Sequence, residues 1–119
     1  MSDTTDNKDT LSFSDYQQLS AQTAVYPDIG HNLSYPALGL GGETGEVLEH
    51  VKKIERDDNG VVSPERSQAL GKEMGDVLWY LARLASEVGL DLGEIAQGNL
   101  DKLASRAERG KLHGSGDER

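Results

Sequence analysis

Apolar residues recur at helical spacing along most of the chain, and no stretch alternates in the two-residue rhythm of a strand. A first helix is predicted from a cap at Ser12 or Ser14, through Tyr16, Leu19 and Ala24, to about Val25. Pro27, Gly30 and Asn32 then mark an irregular connection. Ser34, read as the capping residue with Pro36 in the first turn, opens a second helix to about Glu55. Asp57-Asp58-Asn59-Gly60 is a turn, after which Ser63-Pro64-Glu65 opens a third helix that reaches about Val88 and stops at Gly89. Asp91 caps a fourth, carrying Ile95, Leu100 and Leu103 to about Arg109. The class is all-α, a helical bundle of about four helices over 11–110. A polar, aperiodic leader over 1–10 is expected to be disordered, and a Gly-rich tail over 111–119 flexible.

One short segment occurs twice. Leu40-Gly41-Gly42-Glu43-Thr44-Gly45-Glu46-Val47-Leu48 returns as Leu70-Gly71-Lys72-Glu73-Met74-Gly75-Asp76-Val77-Leu78. With 100° per residue, Leu40, Val47, Val51 and Ile54 fall at about 20° to 80° from Glu43. Leu70, Val77, Leu81, Leu84 and Val88 fall in the same range from Glu73. Each helix thus carries an apolar stripe, expected to be core, with a pair of acids at i, i+3 along one border. Gly45 and Gly75 recur at the same place in both copies, which suggests close approach of a neighbouring helix.

Packed together, the two segments would bring Glu43, Glu46, Glu73 and Asp76 into one small volume. Crowded carboxylates repel unless a divalent cation lies between them. No Lys or Arg stands at i+4 of Glu43, Glu73 or Asp76 to pair with them. Oxygen-only ligands select a hard cation, Mg²⁺ or Mn²⁺, and four acids suffice for more than one ion. A calcium-loop pattern at Glu55, Asp57, Asn59, Gly60 and Ser63 fails, because its twelfth position is Arg66 where a bidentate Glu is needed. His50 falls at about 340°, on the acid face one turn beyond Glu46, and reads as a surface or edge histidine. On the fourth helix Asn99, Lys102 and Arg106 form a polar, cationic stripe of the kind a polyphosphate chain requires.

Composition narrows the function further. The 119 residues carry a formal charge of −9, against a nucleic-acid polymer as partner. There is no cysteine, so thiolate metal sites and disulfides are excluded. No apolar run approaches the ~18 residues that span a bilayer, and no signal-peptide core is present, so a soluble, cytoplasmic protein is expected with no membrane partner. With 35% hydrophobic and 5% aromatic residues the core is lean, and completion of the bundle by oligomerisation is expected.

Glu43-x-x-Glu46, a gap of 26 residues and Glu73-x-x-Asp76 resemble the signature of the MazG-like all-α nucleoside triphosphate pyrophosphohydrolases. Gly75-Asp76-Val77-Leu78-Trp79-Tyr80-Leu81-Ala82 and Asn99-Leu100-Asp101-Lys102-Leu103-Ala104-Ser105-Arg106 extend the likeness over roughly residues 13 to 110. The resemblance implies hydrolysis of a (deoxy)nucleoside triphosphate between its α and β phosphates, giving a monophosphate and pyrophosphate for nucleotide-pool housekeeping. It implies Mg²⁺, replaceable by Mn²⁺, on Glu43, Glu46, Glu73 and Asp76. One of these carboxylates would act as general base on a bound water; the sequence does not select which, and Glu46 is the preference. Lys102, Asn99, Arg106 and Tyr80 would contact the substrate, and the chain would assemble as a homodimer or homotetramer. Gly114-Ser115-Gly116-Asp117 resembles the end of a short phage and bacterial subgroup whose substrates vary. The alternatives are a phosphoribosyl-ATP pyrophosphohydrolase and a non-catalytic helical module that binds a divalent ion or a basic partner.

Overall fold

The computed structural model describes residues 10–110. Its order is α1 (Phe13–Ser20), a 3-10 turn (Ala21–Thr23), α2 (Ser34–Asp57), α3 (Pro64–Glu87) and α4 (Leu92–Glu108), with no strand among the described residues. The expected leader and tail, Thr10 apart, lie outside the described residues.

Local chemistry sets the helix starts. The Ser12 hydroxyl accepts the Asp15 N–H at 3.0 Å while the Asp15 carboxylate accepts the Ser12 N–H, a reciprocal capping box. Ser63 Oγ accepts the Arg66 N–H ahead of Pro64, and the Asp91 carboxylate accepts the Glu94 N–H. Gly89, at φ 75°, takes the left-handed conformation that lets the chain leave α3. At α2 the expected cap is corrected. Ser34 is the first helical residue, and Asn32 Oδ1 accepts both the Tyr35 N–H at 2.9 Å and the Ser34 hydroxyl. The shorter serine side chain, already inside the helix, donates instead of capping.

α2 and α3 pair along their lengths, and the six-residue connection 58–63 makes them an antiparallel hairpin. At that end Arg66 Nε donates to Asp58 Oδ2 at 2.8 Å and so ties the connection to α3. At the other end Glu87 accepts the Tyr26 hydroxyl at 2.6 Å and the Gly30 and Asn32 N–H groups at 2.8 and 2.9 Å. One carboxylate therefore pins the connection that leads into α2. Those three donors hold the Glu87 carboxyl below its ordinary range, whereas burial first and then Glu87 push the Tyr26 phenol up to about 12.

α1 packs on α3 and α4 through polar groups. Gln17 donates to Ser86 Oγ and the Leu90 carbonyl and accepts the Leu92 N–H at 2.7 Å. Arg83, buried at 5% exposure, donates to Ser20 Oγ, the Gln17 carbonyl and Ser86 Oγ. The apolar interior is small: Tyr26, Pro36, Ile54, Ala82, Ala85 and Leu92.

Two further expectations are corrected. Of the apolar stripes only Ile54 is buried; Val51, Leu81 and Val88 are exposed, and Leu40, Val47, Leu70, Val77 and Leu84 are half-buried. Thr44, Val47, Met74, Val77, Leu78 and Leu81 line an open apolar trough of about 290 Å³. A single chain has too few layers to cover both helices of the hairpin. Gly45 and Gly75 also have open space where a Cβ would stand, because they lie about 200° from the first acid of each repeat, opposite the stripe. Close approach occurs instead at Gly39, where a Cβ would overlap the Tyr80 ring.

Removing the Gln17 side chain strands the Leu92 N–H and the Leu90 carbonyl. Gln17→Ala is expected to lower unfolding stability by about 2 to 3 kcal/mol in a urea titration near neutral pH. A carboxyl whose folded pKa is depressed stabilises fully above its unfolded value and loses that stabilisation as pH falls towards the folded value. Glu87→Gln should therefore melt below wild type at neutral pH. The gap in Tm should close as pH drops below the ordinary carboxylate value of 4.5.

Candidate metal centre

The hairpin brings carboxylate oxygens of Glu43, Glu73 and Asp76 within 4.8 Å of one another. Glu43 comes from α2 and the other two, at i and i+3, from α3. Glu43 and Glu73 are half-buried and Asp76 is exposed. Partial burial first, then the charges of Asp76, Glu73 and Glu46, raise the Glu43 carboxyl above its ordinary value. Among the described residues no Lys or Arg forms an ion pair with any of these acids. Three close oxygens without a cationic side chain between them are a donor set suited to a hard divalent ion.

Glu46 lines the same open cavity, of about 410 Å³, together with Gly39, Gly42, Glu43, Glu73 and Tyr80. It is exposed and lies outside the three-oxygen cluster. Gly39 and Gly42 leave the α2 wall of the cavity bare, and the Tyr80 ring rests against Gly39. Burial, then Tyr35, then the charges of Glu43 and Asp76 raise the Tyr80 phenol. An aromatic series backs that ring. Tyr26 stacks on Tyr35 at 4.7 Å, Tyr35 meets Tyr80 at 6.2 Å, and Trp79 packs edge-on to Tyr80 at 5.1 Å.

The α4 stripe stands elsewhere in the single chain. Asn99 is exposed, Lys102 half-buried and Arg106 buried at 3% exposure, and none of them lines the acid cavity. Two neighbours of the acids were not anticipated. Tyr16 on α1 feels the charge of Asp76, which adds to burial in raising its phenol. His50, expected at an edge, is half-buried and reaches Glu73 Oε2 at 3.3 Å through Nε2. Its helical phase placed it on the acid face; the crossing of α3, which phase does not give, brings it to Glu73. Asn59 and Gly60 form the turn after α2, and Asp57 and Asp58 are engaged by Arg56 and Arg66.

An antiparallel helical hairpin with acids across its seam, braced by two further helices, defines an all-α protein with a candidate divalent-cation site. The MazG nucleotide pyrophosphohydrolase domain matches residues 34–110, and the chain belongs to that family. It is also similar to the Gene 37 protein of Mycobacterium phage L5, at 46% identity over 109 residues, covering 87% of this chain and 96% of the relative. No solved structure shows a significant match. Among the described residues no helix is long and apolar enough to cross a membrane.

Proposed function

We propose that the chain hydrolyses a (deoxy)nucleoside triphosphate to the monophosphate and pyrophosphate, with Mg²⁺, or Mn²⁺ in its place, held by Glu43, Glu73 and Asp76 and flanked by Glu46. The observation that carries this is the convergence of three carboxylates in an open cavity of a MazG domain, beside a fourth acid that stays apart from them. Bound there, the cation supplies positive charge against the phosphates and acidifies water. Glu46 takes a proton from the attacking water in this reading, which its exposure in the cavity outside the cluster supports. Water oxygen bonds to the α-phosphorus as its bridge to the β-phosphate breaks, and pyrophosphate leaves. Tyr80 offers its ring and hydroxyl to the nucleotide. The housekeeping role places the enzyme in the cytoplasm, with nucleotide pools.

Assembly as a homodimer or homotetramer is part of the same proposal. The apolar trough on the hairpin, about 290 Å³ and lined by Val47, Met74, Val77, Leu78 and Leu81, is what a second copy would cover. Asn99, Lys102 and Arg106, remote from the cavity of their own chain, would then contribute phosphate contacts across the assembled interface.

The deciding experiment follows pyrophosphate release from a panel of nucleoside triphosphates and phosphoribosyl-ATP with Mg²⁺. Wild type should cleave at least one nucleoside triphosphate, and Glu73→Ala should lose ~100-fold or more in rate with its helical circular dichroism intact. Release from phosphoribosyl-ATP alone would select the first alternative. No release from any substrate, with Glu73→Ala unfolding, would select a structural ion site. Light scattering should give the mass of a dimer or tetramer, and Leu81→Glu, in the trough, should shift it towards the monomer.

A further inference from the structure

We propose that His50 is a positioning residue of the metal centre, fixing the Glu73 carboxylate at the edge of the cluster through a hydrogen bond from Nε2. The inference rests on the metal-centre reading above. His50 sits on α2 one turn beyond Glu46, and its ring crosses to α3, where Nε2 lies 3.3 Å from Glu73 Oε2. The two side chains are 23% and 21% exposed, so the contact is sheltered from bulk water.

An ionised Glu73 only accepts hydrogen bonds, so in the neutral imidazole the proton sits on Nε2 and Nδ1 is an acceptor. That Nδ1 is buried and has no partner among the described residues. A buried, unpaired acceptor costs stability, so packing alone does not account for an imidazole here. His50 also lines a mostly apolar cavity of about 530 Å³, together with Asp58, Val61, Ser63, Arg66 and Ala69.

Glu73 needs such a partner. Its charge lies among those of Glu43 and Asp76, and its flexible side chain would swing away from them if nothing held it. Among the described residues the His50 ring supplies its hydrogen bond. A carboxylate has about four lone-pair sites, so one bond to the imidazole leaves capacity for a cation. A donor of this kind restricts the ligand before metal arrives, which is how outer partners raise metal affinity.

The test titrates metal-free wild type, His50→Leu and His50→Gln with Mn²⁺, without nucleotide, and reads free Mn²⁺ by electron paramagnetic resonance. Leucine keeps apolar bulk and removes the donor; glutamine returns an N–H near the Nε2 position and has no Nδ1. The Kd for Mn²⁺ should rise about tenfold in His50→Leu and stay within about threefold of wild type in His50→Gln. Circular dichroism verifies folding, and His50→Ala replaces the leucine variant under the same criteria if that variant does not fold. Equal affinity in wild type and the donor-free variant overturns the proposal and leaves the metal centre standing. Equal weakening by glutamine and leucine also overturns it, since the donor then does not matter. Absence of Mn²⁺ binding by wild type overturns the metal centre itself, and the role of His50 with it.

Discussion

Three carboxylates within 4.8 Å of one another push apart, and the scaffold around them must withstand that repulsion. Burial first, and then the charges of Asp76, Glu73 and Glu46, raise the Glu43 carboxyl. The hairpin resists by being tied at both ends. Arg66 and Asp58 close the connection side, and Glu87 gathers Tyr26, Gly30 and Asn32 at the other. The acids lie between those ties. Further support comes from Gln17 and Arg83, whose bonds fix α1 and α4 on the back of α3 through polar groups more than apolar bulk.

Much of this was legible in the sequence because it is local. Ser63-Pro64 and Asp91 announce helix starts through side chains acting on their own backbone, and the structure has both caps. The repeated i, i+3 acids are equally local, and Glu43, Glu73 and Asp76 do meet. Ser34 misled because Asn32, two residues upstream, accepts the Tyr35 N–H and the Ser34 hydroxyl, so the helix already includes Ser34. His50 and Tyr16 were harder. Each meets an acid on another helix, and periodicity orients a residue about its own axis without saying which neighbour crosses there.

The apolar stripes teach a related lesson. Their phase was right in that both helices carry them, yet Val51, Leu81 and Val88 remain exposed in the chain. Hydrophobic periodicity identifies a face that wants cover; it does not specify whether that cover comes from the same polypeptide. The proposed assembly would resolve two observations together, the open trough along the hairpin and the separation of the α4 stripe from the acid cavity. The repeated glycines, by contrast, face away from the stripe, and close approach occurs at Gly39, against Tyr80, and at Gly93, against Ser14, both outside the repeat.

The six-residue connection between α2 and α3 bears on how the molecule comes into being. All four acids, and His50 with them, belong to one continuous hairpin, so no distant part of the chain must close a long loop to assemble the cluster. Contacts of short sequence separation form with little entropic cost and favour rapid folding. The bonds that join Gln17 to Ser86, Leu90 and Leu92, and Arg83 to α1, by contrast, link residues more than sixty positions apart. Topology thus favours early formation of the charged half of the protein, with α1 arriving later as a brace. The order is demanding: a nascent hairpin meets its own electrostatic repulsion before the brace is on, and a cation available at that moment would act on folding as well as on chemistry.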